Sequence, residues 1–382
     1  MDRVRSVVGK RSIFAHIDWF LFFGALSISL LGLATMRSFS PQNDFFDKQI
    51  IWIAVAVIVF FLSSLPDYSF LRRTQVLTAL YVTLITLLAL IFVFGSIVKG
   101  AQNRFNVGLF FVQPSDPAKL VLVALLSKYF ARRHVEIKHV RHIVVSGAYA
   151  FLMFTLVFLQ PDFGSALIIF SIWFGLILVA GISWKHLATL LIGAAIICGG
   201  LWHFGLHQYQ KDRILTFIHP LANIQGTGYN AYQSTVAVGS GQIFGKGIGY
   251  GTQSKLQFLP EYQTDFIFAA FAEEWGFFGV LILFCLFTLV IVRILAISAR
   301  GADNFDALFA SGIAIYFTAQ FLVHAGMNMG LLPITGTTLP FMSYGGSHLL
   351  TEYFALGILM SIRRHARPSL QARDETEFIG TI

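Results

Sequence analysis

Charge is what this 382-residue chain has least of. Asp, Glu, Lys and Arg together make up 12% of it, against roughly 25% in globular proteins. A surface facing water needs more, so a soluble enzyme of two or three domains is excluded and most of the chain has lipid as its solvent. Cysteine is nearly absent: Cys198 and Cys285 both lie inside apolar runs, which argues against a disulfide framework and a thiolate metal site. The eleven histidines show no spacing of the HExxH kind, so no zinc motif is read. No internal repeat of span length is visible, which leaves an inverted-repeat transporter without support. The net charge is +8, yet the basic residues sit in short clusters between apolar runs. That placement fits membrane topology and excludes nucleic acid as the expected partner.

What is present in quantity is apolar surface. Hydrophobic residues reach 56% with Phe alone at 40 positions, and the mean hydropathy is +0.72. The chain reads as an all-α, polytopic integral membrane protein with about ten transmembrane helices, each needing about 20 apolar residues. The expected spans are Trp19–Met36, Ile50–Leu65, Leu77–Val98, Pro117–Phe130, Ile143–Leu159, Phe163–Ala180, Leu187–Phe204, Trp275–Ile294, Phe305–Gly326 and Leu349–Ile362. The first is long, lacks a small-residue cleavage site and is followed at once by another span, so it is read as a membrane helix and not as a signal peptide. With the N-terminus inside, eighteen of the 27 Lys and Arg fall on the cytoplasmic side, in clusters at Arg3 to Arg11, Arg72 and Arg73, Lys128 to Arg141, Lys185, Arg293 and Arg300, and Arg363 to Arg373. Eight fall outside and Lys119 lies within a span, which predicts both termini in the cytoplasm. A large extracytoplasmic loop, about 205–274, is expected between spans seven and eight; it is read as structureless and functional, with a Gly-rich stretch from Gly239 to Gly251. Residues 1–366 form a single transmembrane domain, and 367–382 a short, polar, disordered cytoplasmic tail.

Scarcity makes the few misplaced charges informative, because an ionisable group at membrane depth costs several kcal/mol unless it is paired or wet. Lys119 follows Gln113-Pro-Ser-Asp-Pro-Ala; Asp116 shares its helix face, and Ser115 or Asp116 can cap the helix. The pair is read either as a structural ion pair or as part of a site. Glu261, Thr264, Asp265, Glu273 and Glu274 crowd one stretch at the membrane edge, a setting that can raise a carboxyl pKa and make a general base, although a helix-capping Asp265 is the plainer alternative. Glu273 and Glu274 read as structural, bonding loop amides or cations. Asn328 to Ser347, with two prolines and four glycines and almost no charge, suggests a re-entrant loop. Its closing Ser343-Tyr344-Gly345-Gly346-Ser347 offers amides and hydroxyls to an anionic group; a tight hydrophobic loop is the alternative. Asp162, in Gln160-Pro-Asp-Phe-Gly164, reads first as a turn and cap. Glu352, inside span ten, needs a partner that spacing does not name.

Taken in order, Gln113-Pro-Ser-Asp-x-x-Lys119, Gln160-Pro-Asp-Phe-Gly-Ser-Ala166, Phe258-Leu-Pro-Glu-x-x-Thr-Asp265-Phe-Ile-Phe-Ala and Leu339-Pro-x-x-Ser343-Tyr-Gly-Gly-Ser347 resemble the SEDS family (shape, elongation, division and sporulation), the RodA and FtsW proteins of bacterial cell-wall synthesis, from about Trp19 to Ile362. Within it, Gly251 to Glu261 looks like the RodA version, whereas Gly336-Thr-Thr-Leu-Pro-Phe-Met-Ser-Tyr leans toward FtsW; the short N-terminus favours RodA. Asp116 stands where the family usually has Glu, Pro117 follows it, and Gln263 stands where His is common.

The resemblance implies the SEDS fold and a peptidoglycan glycosyltransferase that polymerises lipid II, with its polyprenyl diphosphate, on the outer face of the bacterial cytoplasmic membrane. The implied setting is cell elongation and rod shape, beside a class B penicillin-binding protein and other elongation or division proteins. A septal polymerase of the FtsW type is the near alternative; a lipid II flippase or a non-catalytic scaffold are rivals of another class. Asp265 is the implied essential acid, acting as general base on the acceptor sugar hydroxyl, and the implied role of Lys119, with Asp116, is to orient it or to hold diphosphate. Gln113, Ser115, Arg104, Asp162, Glu261, Thr264, Ser343, Tyr344, Gly345, Gly346 and Ser347 are implied in substrate binding. No cofactor is required by the sequence; a divalent cation such as magnesium is compatible with it, and no metal ligand is assigned.

Overall fold

A computed structural model describes residues 16–37, 44–98, 101–106, 108, 111–132, 140–200, 202–203, 208–219, 226 and 228–379. The basic clusters at Arg3 to Arg11 and Arg133 to Lys138, and Lys99, lie outside the described residues. The helices are α1 (Trp19–Met36), α2 (Phe45–Ser63), α3 (Thr74–Phe94), α4 (Ser115–Ala131), α5 (Val140–Leu159), α6 (Phe163–Ala180), α7 (Trp184–Gly200), α8 (Gln208–Ile218), α9 (Tyr229–Ser240), α10 (Thr252–Lys255), α11 (Ile267–Ser298), α12 (Asn304–Asn328) and α13 (Gly346–Ile379). Ten of these answer the ten expected spans. Seven are long and apolar enough to cross a membrane by themselves: α1, α2, α3, α5, α6, α11 and α12. Helix α4 is 17 residues long and carries Asp116, Lys119 and Lys128, α7 is also 17 residues long, and α13 joins an apolar first half to a polar second half.

The all-α membrane architecture is as expected, and what departs from expectation is local. One small addition goes with it: between α3 and α4 lies a three-stranded antiparallel sheet, β1 (Ser96–Val98), β2 (Ala101–Asn106) and β3 (Phe111–Val112), whose strands are too short to show a pattern. The 205–274 segment is not structureless, since α8, α9 and α10 lie within it. Helix α11 starts at Ile267 and not at Trp275, because Phe266 to Phe271 are apolar and buried in the core. The backbone is also helical to Ile379, where polarity predicts a disordered tail.

Helix α12 is the centre of the bundle, packed on α4, α6 and α11, while α2 packs on α13 and α1 on α11. In lipid no solvent-driven force joins helices, so close backbone approach through small residues does. A Cβ at Gly312 of α12 would lie 2.6 Å from Val123 of α4, and one at Gly357 of α13 would lie 1.8 Å from the Ser63 hydroxyl of α2. Large apolar side chains such as Phe20, Phe23, Leu62 and Val93 are exposed on the outside of the bundle, as a lipid-facing surface requires.

Helix α11 bends at Gly276 (φ 64°, ψ −166°). The amides of Phe277 and Phe278 bond to the carbonyls of Gln242 (2.9 Å) and Ile243 (3.2 Å), and the amides of Lys246 and Gly247 bond to the carbonyls of Glu273 (2.9 Å) and Glu274 (3.0 Å). The Gly-rich loop thus supplies the bonds that the break removes. Glu273, fully buried, accepts from Lys246 Nζ at 2.6 Å, from the Thr252 amide and hydroxyl at 2.9 Å each, and from the Gln253 amide at 3.1 Å. Glu273 is therefore structural, as its sequence suggests.

At the end of the bundle where α1 begins, Asp18 caps that helix by accepting from the Leu21 amide at 3.2 Å. Its carboxylate also receives Arg293 of α11 and, at 3.0 Å, Arg363 of α13.

Candidate active site

The opposite end of the bundle holds the sequence motifs. Lys119 and Asp116 lie one turn apart on α4, joined at 3.2 Å and almost fully buried; the ammonium lies 5.9 Å from the centre of the Tyr316 ring of α12. Above them runs a polar network. Asp162 caps α6 by accepting from the Ser165 amide at 3.0 Å, and its other oxygen accepts from Gln113 Nε2 at 2.9 Å and Asn103 Nδ2 at 3.4 Å. Gln113 Nε2 also reaches the Ser115 hydroxyl at 3.0 Å, and the Gln113 amide bonds to the Ser347 hydroxyl at 3.2 Å. Arg104, half-buried on β2, donates to Asn103 Oδ1 at 3.2 Å and lies over the Phe111 ring. The small sheet thus delivers a cation to the Asp162 network.

Asp265 sits in the turn before α11 and is half-buried. Glu261 (φ 51°) starts that turn; its carbonyl accepts the amides of Thr264 (3.0 Å) and Phe266 (3.2 Å), and its carboxylate accepts the Thr264 hydroxyl at 3.3 Å. The Asp265 carbonyl accepts from Asn328 Nδ2 at 3.0 Å. Gly336 (φ 75°) is exposed beside it, and a Cβ there would lie 3.5 Å from Asp265 Oδ2. Gly164, at the start of α6, approaches so closely that its Cβ would meet Thr337 at 2.6 Å. The Asp162 network and the Asp265 turn therefore meet across Thr335–Thr337.

The closing Ser-Tyr-Gly-Gly-Ser is built into the protein. The Ser343 hydroxyl donates to the Thr264 carbonyl and accepts from the Leu339 amide, both at 2.8 Å, and the Tyr344 amide donates to the Gln263 carbonyl at 2.9 Å. Gln49 of α2 donates to the Ser343 carbonyl at 3.2 Å and accepts the Gly345 amide at 3.3 Å. Gly346 opens α13 against the Trp52 ring, where a Cβ would come within 2.5 Å. Burial raises the Tyr344 phenol above its ordinary pKa, so it stays protonated. These groups brace the Asp265 turn, with Ser343 fully buried.

Other site residues escape a reading from sequence. Tyr316, Gln320, His324 and Asn328 recur at every fourth position of α12 and so share one face. Gln320 donates to the Thr338 carbonyl at 3.0 Å, and His324 Nδ1–H donates to the Thr337 carbonyl at 2.7 Å. The spacing was the available signal. Among the described residues no group of three His, Cys, Asp or Glu side chains is arranged to hold a metal.

Comparison with known proteins places the chain in a family. The signature of a family of cell cycle proteins, FtsW, RodA and SpoVE, matches residues 10–368. The peptidoglycan glycosyltransferase MrdB of Escherichia coli (strain K12) is 37% identical over 288 residues, 75% of this chain and 78% of that protein. A probable peptidoglycan glycosyltransferase FtsW of Thioalkalivibrio sp. (strain K90mix) is 36% identical over 363 residues, 90% of this chain and 89% of that protein. A chain in a solved peptidoglycan synthase complex that coordinates polymerization and crosslinking superposes with a TM-score of 0.79 at 30% identity, covering 91% of this chain and 98% of that one. The chain belongs to the FtsW/RodA/SpoVE family of cell cycle proteins and is a membrane-embedded glycosyltransferase of peptidoglycan synthesis.

Proposed function

We propose that the chain polymerises lipid II into glycan strands at the outer face of the cytoplasmic membrane, with Asp265 as the general base. The observation that carries this reading is the meeting of the Asp265 turn, the Thr335–Ser347 segment and the Asp162 network at one end of the bundle, with Asp265 beside an exposed glycine. Asp265 takes the proton of the acceptor sugar hydroxyl as its oxygen bonds to the anomeric carbon of the donor. The bond from that carbon to the diphosphate oxygen breaks, and the polyprenyl diphosphate leaves with the electron pair. One displacement inverts the anomeric centre, as in single-step glycoside chemistry, and the proton passes from Asp265 to water. A positioned base contributes about 10²–10⁴ in rate. Arg104, on the accessible side of the network, meets the diphosphate, and Lys119 adds positive potential from beneath. Gaps between apolar helices accommodate the polyprenyl tail.

The elongation role of the RodA type is favoured by the MrdB relative and the Gly251 to Glu261 loop, and a class B penicillin-binding protein is the proposed partner, in keeping with the synthase complex of the solved relative. The purified chain with that partner and labelled lipid II, with and without magnesium, is the test. Polymer that disappears in Asp265→Asn supports the base. Polymer unchanged in that variant sinks it; translocation without polymer identifies a flippase, and neither activity identifies a scaffold. Rescue of cells depleted of their elongation polymerase, and not of those depleted of the septal one, checks the RodA role.

A further inference from the structure

Glu352 lies on the second turn of α13 and is fully buried. Its hydrogen bond is to the backbone: Oε2 accepts the Phe341 amide at 2.7 Å. Phe341 has φ 62°, a left-handed conformation that favours glycine and that L residues hold only when their surroundings impose it. Oε1 has no hydrogen-bond partner among the described residues. Nothing about packing a lipid-embedded helix calls for a carboxyl group at this position; a methionine fills similar volume without the desolvation penalty.

The Phe341 turn leads directly to the base. Leu339, on one side of it, gives its amide to the Ser343 hydroxyl, which gives its proton to the Thr264 carbonyl; Tyr344 donates to the Gln263 carbonyl. Both peptides ahead of Asp265 are thereby held by the segment that leads into α13. His348, one turn before Glu352, donates to the Ser343 carbonyl at 3.0 Å through Nε2–H, and Asn328 holds the Asp265 carbonyl from the other side. We propose that Glu352 is a positioning residue for Asp265, acting through the Phe341 turn and Ser343. This inference rests on the assignment of Asp265 made above.

The full-length chain with its partner and labelled lipid II tests it. In Glu352→Met the amide acceptor is lost. The expected result is a kcat reduced by at least about tenfold with KM nearly unchanged, since small displacements of a reacting group cost that much or more, and a Tm that stays close to that of the parent. Glu352→Gln keeps an acceptor oxygen and retains kcat within about threefold. Ser343→Ala breaks the same route nearer the base, and the Glu352→Met, Ser343→Ala double variant is no slower than the slower single variant. A Glu352→Met kcat within twofold of the parent, or a double variant whose losses multiply, overturns the proposal. If Glu352→Met yields no folded protein, the other two variants decide: a collapse of kcat in Glu352→Gln, or an unaffected Ser343→Ala, overturns it. Asp265→Asn run alongside separates the two readings. Activity surviving in that variant removes the base itself, whereas an inactive Asp265→Asn beside a fully active Glu352→Met removes only the positioning role.

Discussion

Two buried carboxylates at opposite ends of the bundle carry out different work. Asp18 has both oxygens engaged: it caps α1 and receives Arg293 and Arg363, tying three helices together. Asp116 is joined to Lys119 on its own helix, and on the site end of the bundle Tyr316 Oη, Gln320 Oε1, His324 Nε2 and Glu352 Oε1 have no hydrogen-bond partner among the described residues. Saturated bonding rigidifies, whereas polar groups left with spare capacity inside a membrane protein mark places where water, protons or a ligand are handled. The ion pair at Asp18 is therefore expected to govern stability, and the one at Lys119 to govern turnover.

Substitutions can break or sharpen that contrast. Asp18→Ala leaves Arg293 and Arg363 facing each other and is expected to destabilise the fold by about 3–5 kcal/mol. Thermal unfolding in detergent measures this, and activity per folded molecule should hold within about twofold; a larger fall in turnover would erase the distinction. Lys119→Met should do the reverse, reducing polymerisation by roughly 10²-fold with a much smaller loss of Tm than Asp18→Ala; a collapse in Tm equal to that of Asp18→Ala would make both pairs structural. Gly336→Ala forces a side chain into a left-handed backbone at about 1–2 kcal/mol beside Asp265, and should slow the reaction severalfold while the far end of the bundle is unaffected, as read by kcat and by hydrogen exchange at α1. Gln113→Leu removes two hydrogen bonds to Asp162 and Ser115. The smallest effect is expected there, about 1 kcal/mol, seen as a modest rise in KM for lipid II.

Much of this was legible in the residues. Helices α1 and α6 begin and end where their apolar runs do, because Asp18 and Asp162 cap them and Arg37 and Gly181 close them. Lys119, Asp116 and Asp265 stood out because charge is so rare. The acidic pair Glu273 and Glu274 looks like a membrane edge and so hides the start of α11; only the fold shows that Lys246 and the loop amides absorb Glu273. The sheet β1–β3 and helices α8–α10 are too short or too polar to register against twenty-residue apolar runs. Asn328, His324 and Gln320 carry no formal charge to draw attention, although their four-residue spacing was there to read. The partner of Glu352 is a backbone amide eleven residues away, set by the path of the chain through Phe341 and not by any spacing.

The bend at Gly276 bears on how this protein tolerates change. Its broken backbone bonds are completed by Gln242 to Gly247, so the loop and the helix form or are lost as one cooperative piece. Surface loops ordinarily absorb insertions, tags and cleavage sites with little harm. In this chain an insertion between Gln242 and Gly247 is in effect an edit to a transmembrane helix.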